Sequence, residues 1–306
     1  MRMFDLGFDI GGTKCAAILG DENGRVLGRR AFATRDASAW RDAVDALIAE
    51  GQALLAGRAP RAVGISCGGP LDYRAGVIQS PPNLPGWDDV PIVRYVEERL
   101  GRPTYLRNDA NACALAEWKY GAGRGCDDLI FLTFGTGMGA GLILGGRLYE
   151  GVSGLAGEVG HLRLSDGGPL GYGKEGSFEG YCSGGGLNRL AVMRMGEDLS
   201  ARQLAERAEA GDAAAAAVLA ESAERLGQGL AVLVDVLNPA RIIIGSVFAR
   251  AEKWLRPGME RALAREALPA AVARCRVVPS ALGDALGDVA ALAVAANGVA
   301  EQAGRG

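Results

Sequence analysis

DLGFDIGGTKCAAILGDENGRVLG, residues 5–28, can be laid over DLIFLTFGTGMGAGLILGGRLYEG, residues 128–151. Gly135 and Thr136 then fall on Gly12 and Thr13. Each copy reads as strand, glycine turn with threonine, strand, glycine turn, strand. Three antiparallel strands joined by tight turns is the simplest account of either copy. The residue-by-residue match is weak, and the agreement lies in the order of elements. A duplication of this kind implies two related α/β halves with a cleft between them, a common place for ligands.

Outward from the first copy, whose strands cover about 3–9, 15–19 and 25–32, the pattern turns helical. Trp40, Val44, Leu47 and Ile48 share one helix face, with Asp36 or Ser38 as candidate cap. A buried strand follows over 61–66, a helix from Pro91 to about 100, and a short strand over 104–106. Beyond the second copy and a glycine-rich stretch, Ser200 and Gln203 form a capping box. A long helix over 212–237 ends at Asn238-Pro239. An apolar strand, 241–244, stops at Gly245-Ser246. Helices across much of 251–268, a strand over 276–278 and a helix over 286–303 complete the chain. The expected domains are 1–108, completed by the C-terminal helix 284–306, and 109–283.

With 306 residues the chain can bury a sizeable core, and 49% hydrophobic with 23% charged residues is ordinary for a globular protein. A net charge of −3, with no Lys/Arg cluster among aromatics, gives no reason to expect nucleic acid. No apolar run approaches a membrane span, and Asp5 and Asp9 interrupt any signal-peptide core. The six cysteines are scattered without a CxxC pair, which fits a reducing cytoplasm. Glycine is the outlier: 47 residues gathered in short clusters, as backbone-lined ligand loops require.

Asp9, Gly11, Gly12, Thr13 and Lys14 place an acid, two glycines, a hydroxyl and a cation around one turn. Backbone N–H groups there can cradle phosphate oxygens, and Asp9 can hold Mg²⁺, directly or through water. Thr133, Gly135, Thr136 and Gly137 repeat the glycine-and-threonine chemistry. Residues 7–14 fail as a P-loop, because they end Gly-Thr-Lys where Gly-Lys-Ser/Thr is required. Residues 135–140 fit GxGxxA, but a dinucleotide site needs a helix next, and 141–146 stops after a strand's length.

Asn108-Asp109-Ala110-Asn111 follows the strand over 104–106 and opens a helical run. Asp109 is a good helix cap; it is also placed as a general base at a strand end. The stretch 154–184 holds the chain's only histidine, His161, with Glu158 and Glu179 among glycines. Taken alone it could be a solvated loop or a metal site.

DIGGTK (9–14), GISCGGPLD (64–72), PNLPGW (82–87), NDAN (108–111), TFGTGMGAG (133–141) and AGEVGH (156–161) occur in order. IIIGS (242–246) and SALGDALGDVAALAVA (280–295) follow. Together they resemble the ROK family of sugar kinases, repressors and uncharacterised reading frames, over nearly the whole chain. The resemblance implies an actin/hexokinase-like (ribonuclease H-like) duplicated α/β fold with an interdomain cleft, assembled as a homodimer. It implies ATP- and Mg²⁺-dependent phosphorylation of the 6-hydroxyl of a hexose, glucose first. Fructose, mannose, allose, N-acetylmannosamine and N-acetylglucosamine are alternative acceptors, polyphosphate an alternative donor, and a non-catalytic sugar sensor the alternative class. By position Asp109 matches the catalytic base. Gly69, Asn83, Asn108, Glu158, His161 and Glu179 match sugar-binding residues, and Gly245 and Ser246 the loop near the adenosine. Repressors of the family carry an N-terminal DNA-binding segment, for which this sequence leaves no room, so an enzyme is expected. Where the family commonly has a zinc-binding CxCGxxGC segment, this chain has Leu170, Tyr172 and Ser177 in place of the thiolates. A structural zinc is therefore not expected, and packing of Leu170, Tyr172 and Phe178 is expected to hold the loop instead.

Overall fold

Leu6, Phe8 and Ile10 alternate with Gly7 and Asp9, which makes Phe4–Ile10 a strand (β1) with two unlike faces. The computed structural model describes residues 3–34 and 39–304. β1 pairs antiparallel with Lys14–Asp21 (β2), which pairs with Val26–Ala33 (β3). On its other side β1 runs parallel to Val63–Cys67 (β4), and β4 parallel to Thr104–Asn108 (β7). A small hairpin, Leu71–Asp72 (β5) and Val77–Ile78 (β6), follows β4. Leu6, Phe8 and Ile10 pack with Val44, Leu47 and Ile48 of the helix Trp40–Leu55 (α1) and with Val96 of Ile92–Leu100 (α2). The candidate caps Asp36 and Ser38 lie outside the described residues, and Ala39 caps α1 without a side-chain bond.

The second half repeats the plan. Leu129–Leu132 (β8), Ala140–Leu144 (β9) and Arg147–Tyr149 (β10) form the antiparallel part, and Arg241–Ile244 (β13) and Arg276–Pro279 (β14) the parallel part. The sheet orders are β3-β2-β1-β4-β7 and β10-β9-β8-β13-β14, the same arrangement twice. Between β10 and β13 come a hairpin, Leu170–Gly171 (β11) with Lys174–Glu175 (β12), and four helices. These are Phe178–Tyr181 (α4), Gly184–Met195 (α5), Ala201–Glu209 (α6) and Ala213–Leu237 (α7). Ser200 and Gln203 form the capping box of α6, and Asp212 caps α7, which ends at left-handed Asn238. Val247–Glu266 (α8) and Pro269–Val272 (α9) lead to β14.

The chain divides into two compact units. One comprises residues up to Arg124 and those from Asp284 on; the other is Gly125–Gly283. The division thus falls after Arg124, not after residue 108 as the sequence suggests. The helix Asp109–Tyr120 (α3) stays in the first unit because it packs on the C-terminal helix Leu286–Ala303 (α10). That helix lies close on the first sheet, where a Cβ on Gly64 of β4 would stand 2.1 Å from the Ala291 carbonyl oxygen. Only glycine allows backbone and helix to approach so closely.

Candidate functional site

In the first unit the candidate residues leave the carboxyl ends of three adjacent parallel strands. The register pairs Ile10 with Cys67 and Cys67 with Asn108, so β1, β4 and β7 end level. Asp9 and the Gly11–Lys14 turn, Gly69, and Asn108 with Asp109 are therefore neighbours by sheet geometry. Strand ends of this kind are where open α/β sheets hold ligands. The turn closes through the Gly11 N–H and the Lys14 carbonyl at 3.0 Å. A Cβ on Gly12 would stand 2.5 Å from the Asn83 carbonyl oxygen, so the turn and the Asn83 loop are in contact.

Asn108, rather than Asp109, caps α3: its Oδ1 accepts from the Asn111 N–H at 2.8 Å. That leaves the NH₂ end of the amide for a ligand. Asp109 is the first residue of the helix, and its Oδ1 accepts from the Ala110 N–H at 2.8 Å. Its side chain reaches solvent, yet enough protein surrounds it that desolvation raises its pKa, against the lowering effect of its backbone hydrogen bonds. Asp9 is half-buried, and its pKa is pushed up to about 6, first by burial, then by the charge of Asp288, with Lys14 opposing. Asp288, in the first turn of α10, is itself held by Arg29 at 2.9 Å.

In the second unit the turn between β8 and β9 is closed by Thr133. Its N–H donates to the Gly139 carbonyl at 2.9 Å, and its hydroxyl accepts from the Gly139 N–H at 2.8 Å. The Gly184 N–H at the start of α5 donates to the Gly135 carbonyl at 2.6 Å. Beside this turn opens a cavity of about 770 Å³, lined by Gly135, Thr136 and Ser246 as well as residues that sequence reasoning missed: Gly184, Gly185, Arg202, Glu206 and Arg250. Its size suits a small organic ligand. Ser246 sits at φ 50°, and its Oγ accepts from Arg250 Nη2 at 2.9 Å. Gly245 is buried behind the lining, against Phe131.

Glu158 and His161 are exposed around the short 3-10 turn Val159–His161. Glu179, in the first turn of α4, is half-buried, and its Oε2 accepts from the Met138 N–H at 2.9 Å, beside Gly137. Glu179 thus touches the second glycine turn directly. The imidazole of His161 stacks on Tyr172, with ring centroids 4.0 Å apart. Leu170 and Tyr172 are 48% and 46% exposed, so apolar packing of those two residues does not hold the loop, contrary to the expectation above. Hydrogen bonding does. The buried Ser177 hydroxyl donates to the Gly171 carbonyl at 3.1 Å and accepts from the Gly180 N–H at 3.0 Å, with Phe178 buried beside it. Among the described residues no group of three or more His, Cys, Asp or Glu side chains is placed to hold a metal ion.

The sequence pattern of the ROK family matches residues 5–297. An N-acetylmannosamine kinase of Shigella boydii is 36% identical over 258 residues, covering 83% of this chain and 86% of that protein. The crystal structure of a ROK hexokinase from Thermus thermophilus superposes with a TM-score of 0.85 at 34% identity, covering 98% of this chain and 100% of that one. A ROK family glucokinase from Streptomyces griseus, solved in complex with glucose and AMPPNP, gives 0.75 at 33% identity, covering 96% and 99%.

Proposed function

The chain belongs to the ROK family, and on that premise we propose that it transfers the γ-phosphoryl group of ATP to the 6-hydroxyl of a hexose, with glucose as first acceptor. The observation that carries the reading is Asp109, a carboxylate of raised pKa one residue past the end of β7, on the same sheet edge as the glycine turn that follows β1. As the acceptor's oxygen attacks the γ-phosphorus and ADP departs, the hydroxyl proton passes to Asp109. A base whose pKa is raised toward the working pH suits that task, and phosphoryl transfer asks for little else beyond positioning and charge neutralisation.

The N–H groups of Gly12 and Thr13 and the ammonium of Lys14 are assigned to phosphate oxygens, with Gly11 closing that turn; the N–H groups of Thr136 and Gly137 are assigned likewise, with Gly135 closing theirs. Thr133 holds the second turn in shape, and the adenosine takes the cavity beside Ser246, with Gly245 behind it. Asp9 suits Mg²⁺, directly or through water, since a cation offsets the burial and the repulsion from Asp288 that together raise its pKa. Magnesium, when bound, neutralises charge on the phosphates. Gly69, Asn83, Asn108, Glu158, His161 and Glu179 are assigned to the sugar. We assign no structural zinc, and a homodimer acting in the cytoplasm.

A second acceptor class is favoured by a specific observation. The similarity to an N-acetylmannosamine kinase is as high as that to the hexokinase and glucokinase. N-acetylhexosamines therefore stand beside glucose, fructose, mannose and allose. A coupled ADP-release assay across these sugars, reported as kcat/KM, tests the reading. Turnover of one hexose or N-acetylhexosamine is expected. Sugar binding without ADP release would favour a non-catalytic sensor, and activity only with polyphosphate would change the donor.

A further inference from the structure

We propose that Tyr172 is a positioning residue for the acceptor site: its ring sets the plane of the His161 imidazole. The proposal rests on the assignment of His161 to the sugar. Four observations carry it. The two rings are stacked, 4.0 Å between centroids and 23° between planes, so the imidazole has one face covered.

Second, Tyr172 occupies a backbone conformation that a bulky residue adopts only at a cost. Tyr172 and Gly173 form the two-residue turn between β11 and β12, with φ of 52° and 69°. Two consecutive positive φ values make this a mirror-image hairpin turn, for which asparagine or glycine is the undemanding first residue. An aromatic side chain held there is worth explaining by what the ring does, and the ring touches His161.

Third, the same hairpin grips the histidine segment at two further points. Lys174 Nζ donates to the His161 carbonyl at 2.8 Å, and Arg163 Nη1 donates to the Glu175 carbonyl at 2.9 Å. Backbone and ring of His161 are thus referred to one small hairpin.

Fourth, the contact continues to the second glycine turn. The Tyr172 hydroxyl donates to the Met138 carbonyl at 3.4 Å, while Glu179 accepts from the Met138 N–H. The packing is tight enough to exclude a side chain at Gly160. A Cβ there would stand 2.4 Å from the Met138 oxygen and 2.8 Å from Cε2 of Tyr172. His161, Tyr172, Met138 and Glu179 therefore form one assembly. Within it, the tyrosine ring supplies the orienting part of what a hydrogen-bond partner or a metal supplies to most functional histidines.

His161 is the only histidine of the chain, so its imidazole signals in an NMR spectrum come from one ring. Tyr172→Asn removes the aromatic ring while improving the turn, and Tyr172→Phe keeps the ring. The Asn variant is expected to melt no lower than the parent, to lose the upfield ring-current shift of the His161 Hδ2 and Hε1 protons, and to raise the hexose KM about tenfold with kcat and the ATP KM within about threefold. The Phe variant is expected to keep both the shift and the hexose KM. Imidazole shifts that do not move in Tyr172→Asn, or an unchanged hexose KM in an active enzyme, would overturn the proposal. If the parent turns over no hexose while the shifts still respond to Tyr172→Asn, the kinase reading falls and the stack stands.

Discussion

At the residue scale, Asp9 and Asp109 are two carboxylates that the fold makes harder to ionise. The folded-state pKa of Asp9, about 6, lies above its ordinary 3.8. An acid shifted upward is favoured in its protonated form by folding, so ionising it costs stability as pH climbs from 3.8 to about 6. Asp9→Asn should accordingly stabilise the protein by about 1–2 kcal/mol at pH 8 and by almost nothing near pH 3.5, allowing for the partial solvent contact of Asp9. Urea unfolding at the two pH values checks this; a variant equally stabilised at both would remove the electrostatic cause. Asp109→Asn is expected to lower kcat by roughly 10²–10⁴-fold with sugar binding largely kept. Near-normal turnover would remove Asp109 from the mechanism. Because the Asp109 pKa is raised, the acid limb of kcat/KM should fall above the usual carboxylate range, and a limb at ordinary carboxylate pH would contradict it.

At the scale of elements, the turns and the helix seats decide the site. Asn108 comes level with Ile10, at the edge of the first glycine turn, because β7 continues two residues past the expected end at 106, pairing with β4 as far as Cys67. Gly64 seats α10 on that sheet. Gly64→Val would drive methyl groups into the backbone of α10 and should cost about 3 kcal/mol or more, read as a lower urea midpoint. A cost below about 1 kcal/mol would mean that helix and sheet separate easily. The hairpin β11–β12 makes the opposite point. Its sequence, from Leu170 to Glu175, carries little apolar content to bury, and it is held by the Ser177 hydroxyl and by Lys174 and Arg163. A packing argument from Leu170 and Tyr172 fails because Leu170 is exposed and Tyr172, at the tip of a six-residue hairpin, lays its ring on the exposed His161 rather than into an apolar core.

At the scale of the whole molecule, the chain builds one sheet plan twice and returns its last helix to the first copy. Ala291 and Leu292 of α10 are buried against Ala16 and Ile18 of β2. Removing residues from Asp284 on should therefore unfold the first unit while the second keeps its own core. Hydrogen exchange should then find β8, β13 and α7 protected and β1, β4 and β7 open; protection of all six would refute it.

The sequence by itself determined the duplicated α/β plan, the two glycine turns, most helices and the position of Asp109 at a strand end. These follow from short-range patterns: alternation along strands, glycine where chains reverse, and caps at helix starts. Only the tertiary structure decided that α3 belongs with α10, that Asn108 spends its carbonyl on the helix, that Arg202 and Arg250 share a cavity with Ser246, and that Tyr172 lies on His161. Each of these depends on which surfaces meet, and the energy of such a meeting is shared between residues whose local sequence carries no trace of the partner.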